Sequence, residues 1–248
     1  MNAGTVARWV AGIDGCPAGW MVVLCDVEHV AAPKARIVPD FAGVLALPEA
    51  PDINAIDMPI GLPERVGIGG RPPDVAARKV LGKRQSSVFA VPARAAVMIE
   101  DYAGACAAAL AHSDPPRKIA KQTFNLFPRI REINRHMTPD LQARVFECHP
   151  EVAFWAMNGR QPLDAAKKIK SRPSEPGLGL RRGLLQRQGF PAGFLGSTSF
   201  RASAAGPDDF LDACACAWSA GRILAGTALT FPETPPLDAR GLRQEIRA

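Results

Sequence analysis

The sequence predicts an α/β domain: a mixed sheet, an antiparallel three-strand meander plus parallel strands, flanked by helices and carrying a helical insertion at residues 64–140. Three observations predict it. Three apolar segments separated by turn residues fill the chain up to residue 39. Two more apolar segments, 52–57 and 143–149, stand either side of a long helical stretch, as parallel strands joined by a crossover must. The most regular helix of the chain, 206–226, follows them.

Residues 8–14 (RWVAGID) read as strand one and 19–26 (GWMVVLCD) as strand two, joined by a tight Gly/Pro turn, with 35–39 (ARIVP) as a short third. FAGVLALPE (41–49) reads as a short helix, because Phe41, Val44, Leu45 and Leu47 fall near one face. DINAIDMPIGLP (52–63) is an apolar strand that reaches Asp57 and is stopped by Pro59, Gly61 and Pro63. Residues 64–140 turn helical over PDVAARKVLG, AAVMIEDYAGACAAALAH and IAKQTFNLFPRIREINRHM, and Pro128 is expected to kink the last. ARVFECHPE (143–151) reads as a strand on which Val145, Glu147 and His149 share a face. The stretch 160–200 is polar and basic around a short helix at RRGLLQRQ. GPDDFLDACACAWSAGRILAG (206–226) opens with Pro and acids, as a helix N-terminus should, and a proline-rich tail follows.

With 248 residues, 47% of them hydrophobic, the chain can bury a sizeable core as a single domain. A net charge of +6 permits an anionic partner such as nucleic acid without demanding one. The six cysteines show no C-x-x-C spacing, which argues against a zinc site and fits buried, reduced thiols. The first residues, MNAGTVARWVAGID, lack the apolar core of a signal peptide. No apolar run approaches the ~20 residues that span a bilayer. The expectation is a cytoplasmic protein with no membrane partner.

Asp14, Asp57, Glu147 and the group Asp208, Asp209 and Asp212 all stand at the ends of apolar elements. Asp209 and Asp212 are three apart and share a face of the first helical turn. Small residues continue that face at Cys216, Ser219 and Ala220, so the helix can lie close against a sheet. Like charges ~4 Å apart repel by ~4 kcal/mol at an effective dielectric of ~20. Converging carboxylates therefore call for a cation, and Mg²⁺ or Mn²⁺ prefer such oxygen ligands. Two such ions ~3.5–4 Å apart can drive phosphodiester cleavage. Each acid also has a plain structural role open to it: a turn at Asp14, a cap at Asp57, favourable helix-dipole charges at Asp208 and Asp209. Asp212, inside the helix among apolar neighbours, is harder to assign to such a role, and the coincidence of all four positions favours a metal site.

Lys83, Arg84, Ser86 and Ser87 in KRQSSVF offer two cations and two hydroxyls for phosphate contact, or form a solvated loop with a serine cap. His149 can donate to a phosphate or orient a carboxylate, or be an ordinary hydrogen-bonded histidine. Arg129 and Arg131, beside Glu132, read as surface salt-bridge partners. Lys167, Lys168, Lys170, Arg172, Arg181 and Arg182 form a basic stretch, either exposed or tracking a nucleic-acid backbone.

The ordered motifs GIDGCPAGW, DMPIGLPE, GKRQSSVF, FNLFPRIREIN, ECHPEVAFWAM and DDFLDACACAW make the chain similar to the domain of unknown function 429 family, over about residues 8–226. That family is regarded as ribonuclease-H-like nucleases, so the resemblance implies a ribonuclease-H-like mixed sheet. RuvC-type resolvases in the wider superfamily carry an acid on the first strand, one at the end of the fourth, and a final helix opening D-x-x-D-A. Asp14, Asp57 and Asp209-Phe-Leu-Asp212-Ala213 match that arrangement. The implied reading is a metal-dependent hydrolase that cleaves nucleic acid with two Mg²⁺ or Mn²⁺ ions. Asp14, Asp57 and Asp212 would be ligands, with Asp209 and Glu147 assisting and Glu147 an alternative to Asp57. Such resolvases tend to be dimers, so a homodimer is an option here. Two other readings stay open: a binding module that kept the fold, and a phosphotransferase of the actin and sugar-kinase kind, which needs a second domain that this chain lacks.

Overall fold

A computed structural model describes residues 7–28, 32–170, 172–196 and 200–248. Residues 1–6, on which part of the targeting-segment reading rests, and four positions of the basic 160–200 stretch lie outside the described residues. Strands β1 (Trp9–Cys16), β2 (Gly19–Asp26) and β3 (Lys34–Val38) form the expected antiparallel meander. Gly19 makes the first turn possible: its φ is +137°, and a Cβ there would lie 2.2 Å from the Val38 carbonyl oxygen. Helix α1 (Phe41–Leu45) follows, capped by Asp40, and β4 (Ile53–Ile56) then pairs parallel with β1.

The chain leaves the sheet after β4 for α2 (Pro72–Leu81), a 3-10 turn (Gly82–Ser87), α3 (Arg94–Val97), α4 (Tyr102–Ala111), α5 (Lys121–Phe124) and α6 (Phe127–His136). It returns as β5 (Val145–Glu147), parallel to β4. Pro128 does not kink a continuous helix. It sits in the first turn of α6, where a missing N–H costs nothing, so the segment is two helices. Strand β5 also stops earlier than expected, and His149 is the N-terminal cap residue of α7 (Pro150–Met157). A small hairpin, β6 (Lys168–Ile169) and β7 (Arg172–Pro173), leads to α8 (Glu175–Arg187), α9 (Ala192–Gly196) and α10 (Pro207–Leu224). The tail is more than proline-rich loop: β8 (Thr230–Phe231) and β9 (Ile246–Arg247) pair, and Arg247 bridges Cys148 in parallel, covering the edge beside β5.

The main sheet runs β3-β2-β1-β4-β5, antiparallel on one side of β1 and parallel on the other, an α/β fold consistent with the ribonuclease-H-like class. Side chains alternate across it. Val10, Met21, Ile53, Ala55 and Phe146 pack against α7, α8 and α10. Ile13, Val22, Ile56 and Val145 pack with α1, α3, α4 and α6 on the opposite face. Helix α10 crosses β1 at Gly12, where a Cβ would lie 2.0 Å from Ala217 N and 2.1 Å from the Ala213 carbonyl oxygen. The close approach expected of this helix is made, but through Ala213 and Ala217 rather than through Cys216, Ser219 and Ala220. All six cysteines are unpaired and buried. Among the described residues, no helix is long and apolar enough to cross a membrane.

Candidate functional site

Asp14 reaches the site by strand parity. Val10, Gly12 and Asp14 alternate onto the α10 face of β1, as Ile53 and Ala55 do on β4. The register pairs Ile13 with Ile56, and the Asp57 N–H donates to the Ile13 carbonyl at 2.8 Å. Asp57 therefore continues the α10 face, next to Asp14. The first turns of α10 lie over these strand ends and bring Asp212 to them. Asp14, Asp57 and Asp212 each offer a carboxylate oxygen, and the three lie within 4.8 Å of one another.

The other acids of α10 are engaged locally. Asp209 accepts the Gly206 N–H at 2.8 Å, closing the helix start, and Asp208 pairs with Lys168 at 2.6 Å. Asp14 accepts the Gly15 N–H at 2.8 Å. Lys167 reaches in from the stretch before the β6–β7 hairpin and pairs with Asp212 Oδ2. Asp212 Oδ1 is buried without a hydrogen-bond partner.

The electrostatics follow from burial and crowding. Burial first, then repulsion from Asp57 and Asp212, pushes Asp14 well above the usual carboxylate range. Burial raises Asp57 to about 6 against the pull of His149, with Asp212 adding repulsion. Asp212 is also raised by burial, although Lys167 opposes it. Burial alone would lower Lys167, but Asp212 and Asp14 hold it charged and raise it.

Glu147 is not part of this group. It pairs in register with Ile56, so it points to the opposite face from Asp57. There it receives both terminal nitrogens of Arg71, at 2.6 and 2.9 Å, and the Ile60 N–H at 2.7 Å. Arg71 also binds Asp74 and the carbonyls of Ile60 and Gly61, and is 1% exposed. Glu147, expected to assist or to stand in for Asp57, lines the same cavity, but its carboxylate is spent on the Arg71 clamp and stands outside the Asp14, Asp57 and Asp212 group.

The basic residues divide in the same manner. Lys83 is exposed and pairs with Asp164 at 2.5 Å, away from the acids. Arg84 and the buried Arg181 share Glu151, at 3.0 and 2.6 Å. Burial would raise Glu151, but Arg181 and then Arg84 hold it below its ordinary value. Ser86, Ser87 and His149 line a cavity of about 520 Å³ that also contains Asp14, Asp57 and Asp209. His149 Nε2 lies 3.2 Å from the Ser87 carbonyl, and its Nδ1 is buried without a partner. Arg129 makes no salt bridge with Glu132. It donates to the Cys16 carbonyl and lies over the Trp20 ring, while Glu132 accepts the Phe41 N–H at 2.6 Å. Arg131 donates to the carbonyls of Val97 and Ile99.

Sequence reasoning missed Arg71 as a clamp, Lys167 as the partner of Asp212, and Arg129 as part of the cavity wall. A local signal existed only for Arg71, whose R-P-P-D spacing places Asp74 at the third helical position.

The donor set fits a hard divalent cation. Three carboxylates stand within reach of a common ion, an oxygen of Asp212 is unspent, and an ammonium group is already drawn towards the acids. No curated protein and no solved structure matches the chain. Strand β1 from Gly12 onward, the insertion and the whole of α10 fall within residues 12–237, the span matched by the model of DUF429, a protein family of unknown function, and the chain belongs to that family.

Proposed function

We propose that the protein is a metal-dependent phosphodiesterase acting on nucleic acid. The observation that carries this reading is the convergence of Asp14, Asp57 and Asp212 from three separate elements into one cluster, Asp14 and Asp212 buried and Asp57 half-buried. Mg²⁺ or Mn²⁺, bound as a pair, would supply Lewis-acid neutralisation of the phosphoryl oxygens and an activated water. Asp14, Asp57 and Asp212 would hold the ions. Asp209, tied to Gly206, fixes the start of α10 and so the position of Asp212. His149 lines the same cavity, and its buried, unpartnered Nδ1 is a hydrogen-bonding group left over for a phosphate. Ser86 and Ser87 line the same cavity and offer hydroxyl donors to a phosphate.

The test is an assay of wild type and Asp14→Asn on mixed DNA and RNA substrates with Mn²⁺. Wild type is expected to cleave, and the variant to lose cleavage by at least a hundredfold. Equal cleavage by the two would remove Asp14 from the site.

A further inference from the structure

Resting on that reading, we propose that the cavity takes one nucleotide at a time, as a free mononucleotide or a strand terminus, with Arg129 as its phosphate anchor. The substrate unit is then a nucleotide end rather than the interior of a duplex.

Charge accounting singles out Arg129. Five Arg and Lys side chains line the cavity. Arg71 is bound by Asp74 and Glu147, Arg84 by Glu151, Lys167 by Asp212 and Lys168 by Asp208. Among the described residues, no carboxylate pairs with Arg129. Its guanidinium is held by the Cys16 carbonyl and by the Trp20 ring, 4.8 Å away. It passes over Gly15, where a Cβ would lie 3.0 Å from Arg129 Cδ and 3.1 Å from Nε. A bare residue beside Asp14 therefore makes room for a guanidinium that, without a carboxylate partner among the described residues, lines the same cavity as the acids. An oriented guanidinium with donors to spare is a bidentate phosphate ligand.

Beyond the charged end the cavity turns apolar. Met58, Val88, Phe89, Leu126 and Ile130 line it, and Phe89 remains 40% exposed. An exposed aromatic ring on an apolar wall is what a nucleobase stacks on. The walls also set the size of the guest. Helices α5 and α6 of the insertion stand on one side, through Gln122 and Ile130, and the 84–89 segment and Lys167 on others. A volume of about 520 Å³ falls in the range of pockets for small ligands, ~300–1,000 Å³. Duplex phosphates continue in both directions along the strand, whereas a cavity of this volume matches a single nucleotide unit.

Calorimetric titration of the full chain in Mn²⁺ tests this with four probes: AMP, ribose 5-phosphate, a 5′-phosphorylated phosphorothioate decanucleotide, and a dumbbell duplex without ends. AMP and the decanucleotide are expected to bind at least tenfold more tightly than the dumbbell, and AMP more tightly than ribose 5-phosphate. Arg129→Gln and Phe89→Ala are expected to weaken AMP at least tenfold, with Mn²⁺ uptake unchanged. Arg129→Lys, which keeps the charge on the Trp20 ring, should retain part of the binding and so separates lost charge from lost folding. Dumbbell binding equal to AMP binding, or AMP binding indifferent to both Arg129→Gln and Phe89→Ala, overturns the inference and leaves the metal reading intact. A wild type that takes up no Mn²⁺ overturns the proposed function and this inference with it.

Discussion

Asp57 shows what a single residue reports about the site. Its carboxyl is raised from the ordinary 3.8 to about 6, and Asp14, Asp212, Asp209, Lys167 and His149 all face it. A raised acid holds its proton longer in the folded chain than in the unfolded one. At this position, then, stability falls as pH rises from about 4 to about 6 and stays low above that. Asp57→Asn, which cannot ionise, is expected to raise the melting temperature of the metal-free protein at pH 7 and to bring no gain at pH 4. Mn²⁺ should stabilise wild type at pH 7 and lose that effect as protons compete for the carboxylates near pH 5, while the variant shows little response. Melting curves against pH, with Mn²⁺ and with EDTA, read all of this. A variant less stable than wild type at every pH would mean that Asp57 is a structural acid. The position of Asp57 at a strand end was legible in the sequence, but its charge state depends on neighbours far away in the chain.

Among the elements, the contact of α10 with β1 decides whether the acids meet. Gly12 has no room for a Cβ against the backbone of Ala213 and Ala217. Gly12→Ala must push the helix off the strand and is expected to cost about 1–3 kcal/mol, roughly 2–4 °C in melting temperature per kcal/mol. Because Asp14 and Asp212 sit on the two displaced elements, Mn²⁺ affinity should fall more than in an equally destabilised variant on β3. Thermal unfolding and Mn²⁺ calorimetry measure the two effects; a stability loss with normal Mn²⁺ uptake would separate the packing from the site. The strands and the closing helix were readable from period and composition. The register was not, and it is the register that turns Glu147 away while bringing Asp57 beside Asp14. A slip of one residue would reverse that choice, and nothing local in ARVFECHPE encodes it.

Across the whole molecule, the insertion and the tail are tied to the sheet by buried ion pairs. Arg71 joins α2, the Ile60–Gly61 turn and the end of β5. Asp238 in the tail accepts the Leu62 N–H at 3.0 Å and Arg94 of α3 at 2.6 Å. Burial works against the charge on Arg71, but Asp74 and then Glu147 hold it charged and raise it. Arg71→Met leaves both acids buried without their cation and is expected to cost about 3–5 kcal/mol in urea denaturation. A loss below about 1 kcal/mol would mean that water or a rearranged Lys replaces the clamp. The sequence read Arg129 as a surface salt-bridge partner of Glu132, and the basic 160–200 stretch as either exposed, as runs of Lys and Arg usually are, or tracking a nucleic-acid backbone. Here Arg181 is buried on Glu151 and the half-buried Lys167 turns inward to Asp212, since acids brought in by other elements compensate them.

The sequence by itself determined the class of the fold, the five strands of its main sheet and its closing helix, and the carboxylates placed at the ends of these elements. Those features rest on periodicity, turn residues and helix caps, which act over a few neighbouring positions. Only the tertiary structure decided which acids converge, which cation each one meets, and that Arg129 is left without an anionic partner among the described residues. Such pairings depend on strand register and on how closely two backbones approach, and both are set by contacts between segments far apart along the chain.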